Sequence, residues 1–227
     1  MPTPHPLDRP VWNALTGRQA QLAVGNARAV RFDPDYGLFA AAADASHEAQ
    51  AALAALCPPR SGFALFGADE PAPPPELTVM ERAACWQMVA ERLTPGEAGF
   101  EVTALTEADA PAMLALATLT KPGPFFARTH QLGDFVGVKR DGVLVAMAGE
   151  RMKPAGFTEV SGVCTHPDHR GHGYAAGLSR IVAQRILARG EVPFLHAYAT
   201  NTAAIAIYQA LGFRLRLEAT LTILARM

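Results

Sequence analysis

The sequence predicts an α+β protein: a mixed, mostly antiparallel sheet flanked by helices, preceded by a smaller N-terminal α/β segment. Three observations lead there. Strand-like runs at residues 134–139, 143–151 and 158–165 follow one another closely, the first two joined by Asp141-Gly142, a dipeptide suited to a type I′ hairpin. The last run enters a glycine-rich turn, Arg170-Gly171-His172-Gly173-Tyr174-Ala175, that opens an amphipathic helix. A second amphipathic helix, residues 201–210, lies between strand-like runs at 194–199 and 213–217.

In chain order, the alanine-rich residues 40–56 read as a helix stopped by Pro58-Pro59, and residues 62–67 as a short buried strand. Pro71-Ala72-Pro73-Pro74-Pro75 reads as a rigid surface connection. Residues 81–92 again read as helix, and Thr94-Pro95-Gly96 breaks the chain. A domain boundary is placed there, giving units of residues 1–97 and 98–227. The second unit begins with a strand at 101–105, a helix at 107–119, a loop at Pro122-Gly123-Pro124 and a short helix near 125–132. After the three-strand meander, the helix from Gly171 carries Tyr174, Leu178, Ile181 and Val182 on one face and stops before Gly190. In the 201–210 helix, Ala204, Ile207, Tyr208 and Leu211 recur at i, i+3, i+4 and i+7, which turns Tyr208 toward the sheet. Terminal strands are expected at 213–217 and 219–224.

Composition excludes several classes. The 227 residues carry a net charge of −1, so no general field holds nucleic acid or an anionic membrane. Cys57, Cys85 and Cys164 are odd in number and far apart, which argues against a disulfide framework. No apolar run approaches the roughly 20 residues that span a bilayer, and Met1-Pro2-Thr3-Pro4-His5-Pro6 lacks the basic-then-apolar order of a leader. A cytoplasmic, soluble protein is expected. His166, His169 and His172 have a spacing that suggests metal, but proline and glycines break the helix that would converge them, so no metal is expected. Cys164 reads as a small buried thiol rather than a nucleophile.

The glycine turn carries the chemistry. Free N–H groups at a helix start, with the positive end of the helix dipole behind them, suit a pyrophosphate, and glycines let it approach the backbone. Gly171-His172-Gly173-Tyr174-Ala175-Ala176 also matches the dinucleotide-binding pattern formally, with Glu191 about 20 residues on. In that unit the strand runs straight into the first glycine, whereas Pro167-Asp168-His169-Arg170 intervenes here.

Arg170-Gly171-His172-Gly173-Tyr174-Ala175 resembles the R-x-x-G-x-G/A signature of the GNAT superfamily of N-acyltransferases. Asn201…Ala204…Ile207-Tyr208…Leu211-Gly212-Phe213 is similar to that superfamily's second cofactor motif, and together the likeness spans residues 100–227. The run Glu159-Val160-Ser161-Gly162-Val163-Cys164-Thr165-His166-Pro167 also looks like the branch that includes glycine N-acyltransferase-like proteins. The resemblance implies a GNAT-type sheet and direct transfer of an acyl group, acetyl by expectation, from acyl-coenzyme A to an amine, with no metal. It places the pyrophosphate on Arg170, Gly171, His172, Gly173, Tyr174 and Ala175, with His172 where lysine or arginine is common. It places the pantetheine arm along Val163, Cys164 and Thr165, with Asn201 either capping its helix or bonding the arm. A mid-strand Gly162 suggests a bulge or a close backbone approach, either of which would splay the sheet there.

Within that frame Tyr208 is expected to protonate the departing thiolate. Glu159 is the first candidate for the base that frees the amine and His196 the second, though a salt-bridged glutamate and a satisfied core histidine fit the same positions. The loop Lys121-Pro122-Gly123-Pro124-Phe125-Phe126 falls where the family forms its acceptor wall. The acceptor is expected to be a small-molecule or amino-acid-like amine, with neither nucleic acid nor membrane as partner. Residues 1–97 are expected to be a degenerate copy of the fold, serving as substrate wall or homodimer surface. The alternative is a catalytically silent coenzyme A-binding module.

Overall fold

A computed structural model describes residues 5–58, 61–68, 73–74 and 76–226. Met1–Pro4 of the N-terminal reading, Pro59, and Pro71, Ala72 and Pro75 of the proline-rich connection lie outside the described residues. The elements run α1 (Pro10–Leu15), β1 (Ala23–Gly25), β2 (Ala29–Phe32), β3 (Ala40–Ala42), α2 (His47–Ala55), β4 (Phe63–Gly67) and β5 (Leu77–Val89). There follow β6 (Thr103–Leu105), α3 (Ala110–Thr120), β7 (Phe135–Arg140), β8 (Val143–Glu150), β9 (Phe157–Thr165), α4 (Tyr174–Ala188), β10 (Val192–Tyr198), α5 (Thr202–Leu211) and β11 (Arg214–Arg226).

The main sheet has the order β4-β11-β5-β10-β9-β8-β7-β6, and β1-β2-β3 form a separate small sheet. The meander β7-β8-β9 is antiparallel as expected, with Asp141 (φ +52°) and Gly142 (φ +79°) both in the left-handed region that a type I′ turn requires. Helix α4 buries Tyr174, Leu178, Val182 and Ile186, four apart along one stripe, against the sheet. Each such side chain contributes about 1.5–3 kcal/mol.

Two helical expectations are corrected. Residues 81–89 belong to β5 and 90–92 follow its end, with no helix there: the strand backbone is paired on both sides over Cys85–Val89, with β10 and β11, and with β11 along its whole length. Alanine, glutamate and methionine favour a helix there locally, but two flanking strands supply partners for both edges and override that preference. The 40–56 run is split, because Asp44-Ala45-Ser46 turns the chain after β3 and the Ser46 hydroxyl then accepts from the Ala49 N–H at 3.3 Å, starting α2 afresh. The two terminal strands are one, β11, with a bulge between Leu215 and Leu217.

The boundary expected at residue 97 falls inside one continuous sheet. Strand β5, from before it, sits between β11 and β10, from after it. Leu7, Val11, Leu15, Phe32 and Phe39 share a buried cluster with Met152, Phe194 and Leu221. Cutting there would expose core on both sides, so the residues before 97 supply two strands of the sheet as well as a cover for it. Among the described residues no helix is long and apolar enough to cross a membrane.

Candidate active site

Two parallel neighbours in the main sheet part company. Strands β9 and β10 pair at Val192↔Phe157, Pro193↔Thr158 and Phe194↔Glu159 and no further. Beyond that point β10 continues against β5 and β9 against β8, so a wedge opens between them. Gly162 (φ +63°) lies in a bulge: Gly162 and Val163, between Ser161 and Cys164 on β9, stand opposite the single residue Ala148, between Gly149 and Met147 on β8. A side chain at Gly162 would also lie 3.0 Å from the Phe135 ring.

A cavity of about 720 Å³ fills this wedge. One end is the glycine turn. The N–H groups of residues 171–176 have no acceptor within the chain among the described residues, and the first that does is Gly177, bonded to the Gly173 carbonyl at 3.0 Å. Gly171 (φ +83°) and Gly173 (φ +73°) are left-handed, and a Cβ on either would meet nothing within 4 Å. Five of these free donors, on Gly171, Gly173, Tyr174, Ala175 and Ala176, belong to residues that line the cavity at a helix start, a ready anion site. Arg170, Gly171, Gly173, Tyr174 and Ala175 line it. His172 does not. Its Nδ1–H is held by the carbonyls of His169 (3.1 Å) and Arg170 (3.0 Å) and its ring stacks on Tyr174, so the imidazole braces the loop. Tyr174 is anchored from behind, its hydroxyl accepting from Arg140 Nε at 3.0 Å and Nη2 at 2.9 Å.

The middle of the wedge is lined by Val163, Cys164 and Thr165 from β9 and by Asn201, Ala204, Ile207 and Tyr208 from the α5 side. Asn201 caps α5, its Oδ1 accepting from the Ala204 N–H at 3.2 Å. The Thr165 hydroxyl is buried without a partner among the described residues, an orphan donor that the amides of a pantetheine arm would satisfy. Burial pushes the Cys164 thiol up to about 11 and, with the nearby Cys164, the Tyr208 phenol up to about 12. Tyr208 thus keeps its proton throughout the neutral range and can donate it. Cys164 is no nucleophile.

The far end is built by residues that sequence reading did not single out: Phe39, Phe66, Cys85, Arg151, Tyr198 and Leu221, together with His196. Of the expected acceptor loop, Lys121 to Pro124 line the cavity, while Phe125 packs edge-on to Phe135 and Phe126 does not line the cavity.

Both expected bases are corrected. Glu159 is fully buried and does not line the cavity. Its carboxylate takes Arg151 Nη2 at 2.7 Å and Nε at 2.8 Å, and also His196 Nδ1 at 2.7 Å. Burial alone would raise its pKa, but Arg151 first and His196 second hold it far below the usual carboxylate range, so it cannot take a proton near neutrality. His196 lines the cavity, yet both its nitrogens are engaged. Gln87 accepts from Arg216 Nη1 at 2.7 Å through its oxygen and donates its two N–H to the Leu7 carbonyl (2.9 Å) and His196 Nε2 (3.2 Å). In that arrangement His196 Nε2 accepts from Gln87 while Nδ1–H is given to Glu159. The β11 bulge is what turns Arg216 inward, where it also meets Asp8. Alternation along β9 alone could not show this, because Arg151 follows β8 and the remaining partners come from β5, β10 and β11.

Comparison with known proteins follows the same lines. The family model described as FR47-like protein matches residues 135–222. A crystal structure from Novosphingobium aromaticivorans, described as an acetyltransferase of the GNAT family, is 47% identical, covers 99% of this chain and 100% of its own, and superposes with a TM-score of 0.92. A GCN5-related N-acetyltransferase from Kribbella flavida (22% identity, 90% of this chain and 92% of its own, TM-score 0.62) shares the fold. So does a GCN5-related N-acetyltransferase-like protein from Streptococcus suis (13% identity, 94% and 92%, TM-score 0.60). No curated protein sequence matches this chain. The likeness to the first structure runs through residues 1–97 as well, in keeping with a cover that is part of the fold.

Proposed function

The chain belongs to the GNAT family of acetyltransferases, and from that premise we propose that it moves an acetyl group from acetyl-coenzyme A directly to the nitrogen of a small-molecule amine. The observation that carries this reading is the single wedge, with unpaired helix-start donors at one end, a protonated tyrosine midway and a largely apolar chamber at the other. Residues 171–175 and Arg170 hold the diphosphate, and the open edge of β9 at Val163–Thr165 takes the pantetheine amides, with the Thr165 hydroxyl as a further partner. Acetyl-coenzyme A bound there would supply the activated acetyl group as its thioester. A β9 N–H at Val163 or Cys164 stabilises charge developing on the thioester oxygen, a contribution of several kcal/mol. Tyr208 gives its proton to the departing sulfur.

No Asp or Glu lines the cavity among the described residues, so the proton of the acceptor amine leaves through water in the wedge. Acetyl-coenzyme A incubated with a panel of amines, with free thiol as the readout, tests the reading. Tight binding without turnover on any acceptor would favour the silent coenzyme A-binding module instead. Tyr208→Phe keeps the ring in place, and turnover is expected to fall on the order of tenfold to a hundredfold while the Kd for acetyl-coenzyme A stays within about twofold. Unchanged kcat would remove Tyr208 from the acid role.

A further inference from the structure

Arg151 presents an unused donor edge to the acceptor end of the cavity, and we propose that this edge reads a carboxylate on the acceptor. The substrate is then an amine that also carries a carboxylate and an apolar body. The inference rests on the acetyl-transfer reading above. Arg151 is side-on to Glu159 through Nε and Nη2, and its Nη1 has no acceptor within the chain among the described residues. The side chain is 12% exposed, lines the cavity and packs its guanidinium over the Phe39 ring at 4.8 Å. A side-on pair leaves the end-on edge of the fork, Nη1 with the second hydrogen of Nη2, free for a second planar oxyanion.

Charge in the chamber selects the same class. Lys121, Arg151 and Arg170 line the cavity and no carboxylate does, among the described residues. Glu159 lies behind Arg151 with both oxygens committed, so it offers nothing to a ligand. A polycationic acceptor would meet like charge and no counter-ion, whereas an anion meets a donor fork set in an apolar wall of Phe39, Phe66 and Leu221. That wall strengthens a charge-assisted bond and takes the acceptor's apolar part. The chain of bonds from Glu159 through His196 and Gln87 to Arg216 keeps the fork from turning, which makes Arg151 a specificity residue held by positioning residues.

Matched acceptors test this on the full chain: phenylalanine, its carboxamide and phenethylamine, with the same trio built on leucine and on an ω-amino carboxylate. In at least one series the carboxylate is expected to exceed both analogues in kcat/KM by roughly tenfold or more. Arg151→Lys keeps a cation against Glu159 but has no second edge, and it is expected to erase that preference with the Kd for acetyl-coenzyme A unchanged. Equal rates within every series, or a preference undiminished in Arg151→Lys, would overturn the inference. Binding is read beside turnover, as the rise in Tm that each acceptor gives in the presence of coenzyme A. An Arg151-dependent rise specific to carboxylates without thiol release sustains the carboxylate site and removes the transfer reading. Acetylation indifferent to the carboxylate does the reverse, and neither binding nor turnover overturns both.

Discussion

Gly173→Val is expected to weaken acetyl-coenzyme A binding on the order of a hundredfold while leaving most of the fold's stability intact. The two effects separate because of where Gly173 sits. It is the N-cap of α4 at φ +73°, where a β-branched residue is disfavoured by about 1–2 kcal/mol. The new side chain meets no protein atom, since nothing lies within 4 Å of its Cβ, so the free protein relaxes the turn with little loss. Binding must then restore the strained turn and also clear a side chain from the concavity, and about 2.7 kcal/mol in total corresponds to a hundredfold in Kd. Titration calorimetry measures this, with thermal melting as the control. Undiminished affinity in a folded variant would remove the glycine turn from the binding site.

The second large effect is on stability. Glu159→Ala leaves Arg151, buried at 12% exposure, without its carboxylate and His196 without its acceptor. Removing one partner of a buried ion pair costs about 3–5 kcal/mol. For a chain of this size that lowers Tm by about 6–20 °C. The same pair sets an acid limit. A glutamate whose folded pKa is depressed contributes its full stability above the ordinary value of 4.5 and loses it as pH falls below that toward the folded value, so the wild type is expected to weaken below about pH 4.5 more steeply than Glu159→Gln. Denaturant melts of both variants across pH measure it. A Glu159→Gln protein as stable as the wild type but inactive at neutral pH would return Glu159 to the role of base.

What could be read from the sequence was whatever is local. The glycine turn, the meander with its Asp141-Gly142 hairpin, the Gly162 bulge and the two amphipathic helices are each fixed by residues within a few positions of one another, and each is present in the fold. Strand β5 was not legible, because Glu81 to Ala90 is rich in helix formers and becomes a strand only through β10 and β11, more than 100 residues later in the chain. The site divides the same way. The anion end comes from one contiguous stretch, whereas the acceptor end gathers Phe39, Phe66, Cys85, Arg151, His196 and Leu221 from six separate segments. The one local signal for Arg151 was its place opposite Glu159 across the β8–β9 connection, where their backbones exchange Arg151 N–H to Glu159 O at 3.1 Å. A glutamate alone on a strand leading to the cofactor edge suggests a base. The same glutamate facing an arginine across a hairpin is a salt bridge, and the pairing register decides between them.

The central claim is that the backbone donors of residues 171–175 hold a diphosphate and thereby aim a thioester along the open edge of β9. A crystal structure of the protein with coenzyme A tests it most directly. The account predicts diphosphate oxygens within hydrogen-bond distance of the 171–175 amides and the sulfur between Val163–Thr165 and Tyr208. A diphosphate bound elsewhere, or a sulfur outside the wedge between β9 and β10, would contradict it.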